Sequence, residues 1–134
     1  MSQVEALMQK MNASALEVAA AFGAILDYSD HSVSQVEEIL GEMHDEFLKT
    51  RDEEGLRGIA LFFAAYIGEV IRRKGLGGTW NRNHPDFGED SFPFTWNGGV
   101  LFLNSWCLKR IFDGKEDDVW FKFQALVLEK LTGA

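Results

Sequence analysis

Apolar residues recur at steps of three and four through the first seventy or so positions, change to steps of two near residue 92, and return to helical spacing near the end. The first pattern predicts helices, whose side chains three and four apart share a face, and the second a half-buried strand. Residues 3 to 27 read as one helix, with Val4, Leu7, Met8, Met11, Ala15, Val18, Phe22, Ile25 and Leu26 on its buried side. Ser2 with Glu5 has capping-box spacing, and Ser14 with Glu17 repeats it, which marks a weak point near Asn12. A connector from Leu26 to His31 leads into a second helix starting at Ser32 or Ser34. Its apolar face is Val33, Val36, Ile39, Leu40, Met43 and Phe47, and its other face is acidic.

The third helix, about residues 53 to 74, differs from these two. Ile59, Leu61, Phe62, Phe63, Tyr66, Ile67, Val70 and Ile71 cover most of its circumference, as expected of a buried central helix. Gly75, Gly77 and Gly78 end it. Thr79 to Arg82 reads as a short strand and residues 84 to 91 as a loop. Phe92, Phe94 and Trp96 then alternate with Pro93 and Thr95, and Pro93 points to a sheet edge or a strand start. Asn97-Gly98-Gly99 is a hairpin turn, after which Val100 to Trp106 reads as the partner strand. A helical turn over residues 107 to 112 and a last helix from about Glu116 to Leu131 complete the chain. The class is α+β: three N-terminal helices, an antiparallel sheet of about three strands and a C-terminal helix, over residues 1–134 as one domain.

Composition narrows the function. Seventeen Phe, Trp and Tyr residues in 134 are many for this size and point to a well-filled core, with an aromatic-lined pocket or a self-association surface beside it. The net charge of −8 argues against nucleic acid, whose phosphates are bound by displacing counterions with Lys and Arg. Cys107 is the only cysteine, so neither an intrachain disulfide nor a cysteine zinc site can form. The start of the chain lacks a basic secretory leader, and Val18 to Leu26 is too short to cross a bilayer. A cytoplasmic protein without membrane contact is expected.

Two groups of residues are candidates for chemistry. Residues 62, 66, 69 and 73 fall on one stripe of the third helix, so Glu69 and Arg73 share a face with Phe62 and Tyr66. Either they form an internal ion pair locking this helix to the sheet, or Tyr66, Glu69, Arg73 and Trp80 line a pocket. The second group is basic: Arg72, Arg73, Lys74, Arg82, Lys109 and Arg110 flank the predicted sheet and, if they converge, make a positive patch suited to a carboxylate, a phosphate or an acidic partner. His31, His44 and His84 have no metal-ligand spacing, and no metal or cofactor is expected.

Tyr66-Ile67-Gly68-Glu69-Val70-Ile71-Arg72-Arg73, followed by Gly77-Gly78-Thr79-Trp80, resembles the signature of an uncharacterised family of small bacterial proteins. Leu26-Asp27, Ser32 to Glu37 and Lys109 to Gly114 extend the resemblance over about residues 26 to 123. It implies a shared fold and brings no assigned activity. The function expected from the residues is a non-enzymatic binding or interaction module for a partner protein or a small anionic ligand. Trp80, Trp96 and Trp106 would be its apolar walls, with Tyr66 and Glu69 beside them and Arg73, Arg82 or Arg110 its charge contacts. The alternatives are a small enzyme using Glu69 as acid or base, and a structural or regulatory homodimer.

Overall fold

The computed structural model describes residues 2–133. Helices α1 (Gln3–Ala21), α2 (Asp30–Thr50) and α3 (Leu56–Arg72) precede strands β1 (Thr79–Trp80), β2 (Phe94–Trp96) and β3 (Gly99–Leu101), and α4 (Leu103–Phe112) follows. A short 3-10 turn (Lys115–Asp117) leads to the C-terminal helix, made of α5 (Val119–Phe123), a π turn (Gln124–Leu128) and α6 (Glu129–Thr132). The class is α+β, as the pattern predicts. No helix among the described residues is long and apolar enough to cross a membrane.

α3 is central because it packs against both α1 and α4, and a continuous stretch from Phe63 to Gly68 is buried. Ile67 is fully buried and Phe62 partly so. Gly68 has a specific reason: a Cβ there would stand 2.5 Å from Cζ2 of Trp80, so the indole lies directly on the helix backbone. Trp80 also tilts against Phe94, with ring centroids 4.8 Å apart, which joins β1 and β2 to the core. The sheet is antiparallel in the order β1-β2-β3, with Trp80 opposite Phe94 and Trp96 opposite Gly99. Pro93 immediately precedes β2, the strand-start position open to a residue without an N–H.

Several boundaries differ from the sequence reading. α1 is unbroken but stops at Ala21, because Gly23 turns left-handed (φ 79°) while Phe22, Ile25 and Leu26 merely continue the helical spacing. α2 begins two residues before Ser32, since Ser29 caps it by accepting from the Ser32 N–H. The strand expected from Val100 to Trp106 ends at Leu101, and Trp106 lies on α4. Leu103, Trp106, Cys107, Arg110 and Ile111 are the buried side of that helix, a spacing of three and four masked by the apolar run before it.

The ion pair that locks α3 to the sheet involves Arg72 rather than Arg73. Arg72 pairs with Glu5 of α1 and donates from Nε to the Gly78 carbonyl at 3.1 Å, and Glu5 also accepts from the Trp80 N–H at 2.8 Å. Arg72 follows Gly68 by four residues and therefore points to the side where β1 lies. Only half of the expected capping box forms. Ser2 accepts from the Glu5 N–H, but the Glu5 carboxylate is taken up by these distant partners.

Candidate ligand-binding site

The eight residues singled out from the sequence do not converge. Tyr66 is buried in a polar seam: its hydroxyl donates to Ser32 Oγ at 2.7 Å and accepts from the Tyr28 N–H at 2.8 Å. The Tyr28 ring stacks on Tyr66, and the Arg73 guanidinium lies 3.5 Å from the Tyr28 ring centre. Burial raises the Tyr66 pKa against the pull of both hydrogen bonds. Glu69 is partly exposed between Arg72 at 3.7 Å and Arg73 at 3.9 Å. Trp80 is consumed by the core. Arg82, on the surface, pairs with Asp90 at 2.6 Å.

Arg110 sits at the other side of α4 and is only 7% exposed. Its Nε donates to both carboxylate oxygens of Glu37 at 2.9 Å, and Glu37 Oε1 also accepts from the Val119 N–H at 3.1 Å. Burial raises the Glu37 pKa, opposed by these hydrogen bonds and the Arg110 charge. The guanidinium passes Gly41 so closely that a Cβ there would be 2.7 Å from Nη2. This clasp ties α2, α4 and the start of the C-terminal helix together. The expected positive patch is thus dispersed, with Arg72, Lys74, Arg82 and Arg110 each answering a carboxylate and Arg73 held over Tyr28. Lys109 is exposed and forms no ion pair among the described residues.

Where Lys109 points, a trough opens. It runs between the loop from Phe87 to Ser91, the β3–α4 junction and the C-terminal helix, with a volume of about 750 Å³. Trp106, Leu101 and Phe102 are among its apolar lining; Lys109 and Lys122 bring positive charge to it, and Glu89 and Asp90 bring negative charge from the loop, Asp90 being paired with Arg82. A smaller depression of about 160 Å³, lined by Trp96 and Lys130, shares Val100, Leu101 and Leu126 with the trough and extends it past the hairpin. Val100 and Leu126 are 42% and 41% exposed, leaving apolar surface in water along the shared wall. Two of the three tryptophans picked from the sequence, Trp96 and Trp106, therefore line one continuous depression; Trp80 does not.

Local sequence explains how these walls are held. Asn97 (φ 51°) and Gly98 (φ 76°) make the tight turn that places Val100 across from Thr95. Trp96 is fixed by donating its indole N–H to the Gly75 carbonyl at 3.2 Å. Asp118 caps the C-terminal helix by accepting from the Phe121 N–H at 2.8 Å. Leu126 belongs to the π turn, where one extra residue per turn pushes the wall outward; such turns are frequent at functional sites. Asn104 lines the trough, and its Oδ1 is buried with no hydrogen-bond partner among the described residues.

Neither Asn104 nor the lysines of the C-terminal helix stood out in the sequence. Apolar spacing places Leu126 on the core side of that helix with Val119, Phe123 and Val127, but it is 41% exposed and, with Lys122 four residues before it, faces the trough. Comparison with known proteins yields no relative: no family model matches the chain, and no curated protein or solved structure does.

Proposed function

We propose that this protein is a non-enzymatic binding module whose trough beside Trp106 holds a small amphipathic anion. The carrying observation is an exposed apolar wall beside Lys109, a cation with no ion pair among the described residues, while Asp90, one of the trough's two carboxylates, is already answered by Arg82. The trough's volume falls within the ~300–1,000 Å³ typical of small-molecule sites, which favours a compact ligand over a protein surface. An apolar body would cover Val100 and Leu126 and rest on Trp106. An acidic head would meet Lys109, with Lys122 and Lys130 nearby. Lys122 is already paired with Asp117 at 3.2 Å, so Lys109 is the main charge contact. Glu69, clamped by two arginines, has no comparable support as an acid or base. A cytoplasmic location, where anionic amphiphiles are abundant as metabolites, fits this reading.

Dodecanoate, dodecanol and dodecyltrimethylammonium separate charge from greasiness. Dodecanoate is expected to bind saturably and to shift the indole N–H resonances of Trp96 and Trp106 while leaving that of Trp80 in place. Leu126→Asp should abolish the effect, and Lys109→Glu should weaken it about tenfold, the worth of one charged contact. Equal binding of the cationic chain, or none of the anionic one, would remove the proposal. Concentration-dependent sedimentation with the same two indoles shifting would instead make the trough a homodimer contact.

A further inference from the structure

On the opposite side of Arg110 the surface has the reverse character. From Gln35 to Glu54 the chain carries eight acidic residues against two basic ones, which concentrates −6 of its net −8 in one helix and the loop after it. Glu38, Glu42, Asp45 and Glu46 are spaced as one stripe along the outer side of α2, and all four are exposed. The rise from the first to the last of them is about 12 Å, so the stripe faces roughly two turns of a partner helix.

Apolar surface runs beside this stripe. Phe22 (43% exposed) and Leu48 (47%) line it, and Ile25, 86% exposed, follows Ala24 at its edge. Phe22 stands between two depressions that share it and Glu42. One, of about 780 Å³, reaches from Ala24 along α2 to Lys115, and the other, of about 460 Å³, has Met43, Phe47 and Leu56 in its lining and Glu46 and Glu54 beside them. Side by side they make a surface longer than a small-molecule pocket, with apolar residues along its course and carboxylates at its margins. The early end of α1 creates it: Gly23 turns the chain away and leaves Phe22 and Ile25 without a helix to cover them.

We propose that this α2 face docks a basic amphipathic helix of a partner protein. Leu or Phe side chains at three- and four-residue spacing would enter the two depressions, and flanking Lys or Arg would meet the acidic stripe. Anionic lipid and nucleic acid are repelled by the same charge, and a second copy of this chain would bring an identical acidic face to it. The proposal is independent of the ligand trough, which lies across the molecule's other elements.

The test is a titration of the full chain with a synthetic Lys/Leu amphipathic helix of about 15 residues, followed by amide chemical shifts. A peptide of the same composition in scrambled order and a Glu/Leu version serve as controls. The expected result is saturable binding of the amphipathic peptide, with shifts centred on residues 22–25 and 38–48. The double variant Ile25→Ser and Leu48→Ser keeps every charge and alters only exposed side chains, and it should weaken binding about tenfold or more. Glu42→Gln with Asp45→Asn should also weaken it, with the largest loss at low salt, where the charges are least screened. Equal affinity for the scrambled peptide, shifts spread over the whole acidic surface, or undiminished binding by the Ile25/Leu48 variant would each overturn the proposal.

Discussion

Tyr66 illustrates how a side chain that looks chemical can be structural. Its hydroxyl is completely buried, donates a hydrogen bond to Ser32 Oγ and accepts one from the Tyr28 N–H, so the phenol must stay neutral for the seam between α2 and α3 to hold. Burial raises its pKa above the ordinary 10.0. Between the ordinary and the raised value the folded protein keeps a proton that the unfolded chain has released. Its contribution to stability is therefore full below the ordinary value and is lost as pH rises through the folded one. Urea midpoints followed from about pH 8 to about pH 11 should fall more steeply for the native chain than for Tyr66→Phe. At neutral pH the same variant should lose about 1–3 kcal/mol, because the part-buried Tyr28 N–H is left without its acceptor and Ser32 Oγ, which keeps its bond to the Ser29 carbonyl, loses a donor. Parallel alkaline slopes for the two proteins would mean that the phenol does not govern this range. Gly68 shows a different kind of constraint, one of space, since nothing larger fits between α3 and the Trp80 indole.

Long periodic elements were legible in the sequence, and junctions were not. α2, α3, the Asn97-Gly98 turn and the C-terminal helix follow from spacing and turn chemistry alone. The end of α1 and the start of α4 escape such reading because apolar spacing runs on past Gly23 and because Leu101, Phe102 and Leu103 suit a strand or a helix equally. The same ambiguity put Trp106 on a strand, whereas it sits on α4 and lines the trough. Arg72 and Arg73 differ by one position, and only the docking of β1 on Gly68 decides which of them turns inward. The π turn has no periodic signature at all. It behaves as one inserted residue, so deletion of Ala125 should restore regular helix and keep both flanks on their present faces. We expect that deletion to leave far-UV circular dichroism unchanged within error and to lower dodecanoate affinity about tenfold, as Leu126 leaves the trough wall. Retained affinity would show that the bulge does not shape the site.

Two charge clasps make the molecule's parts interdependent. Glu5 reaches from α1 to Arg72 of α3 and to the backbone of β1, and Glu37 reaches from α2 to Arg110 of α4 and to the first residue of the C-terminal helix. Each lies beside one apolar core that includes residues from Met8 to Val127. Pulling either half away would break the clasp's hydrogen bonds and expose core side chains at the same time. Separate opening of the sheet and the helices is thereby disfavoured, and unfolding should be a single transition. Cys107 can report this directly. Its thiol is fully buried on the inner side of α4, and burial pushes its pKa up, so the reactive thiolate is suppressed as long as α4 stays docked. Labelling by a thiol-specific reagent should be negligible in the native protein, and the labelled fraction in short pulses across a urea series should share its midpoint with far-UV circular dichroism. A thiol that reacts at clearly lower urea than helix is lost would mean that α4 and the hairpin open as a unit, and that the walls of the ligand trough are less firmly held than the clasps imply.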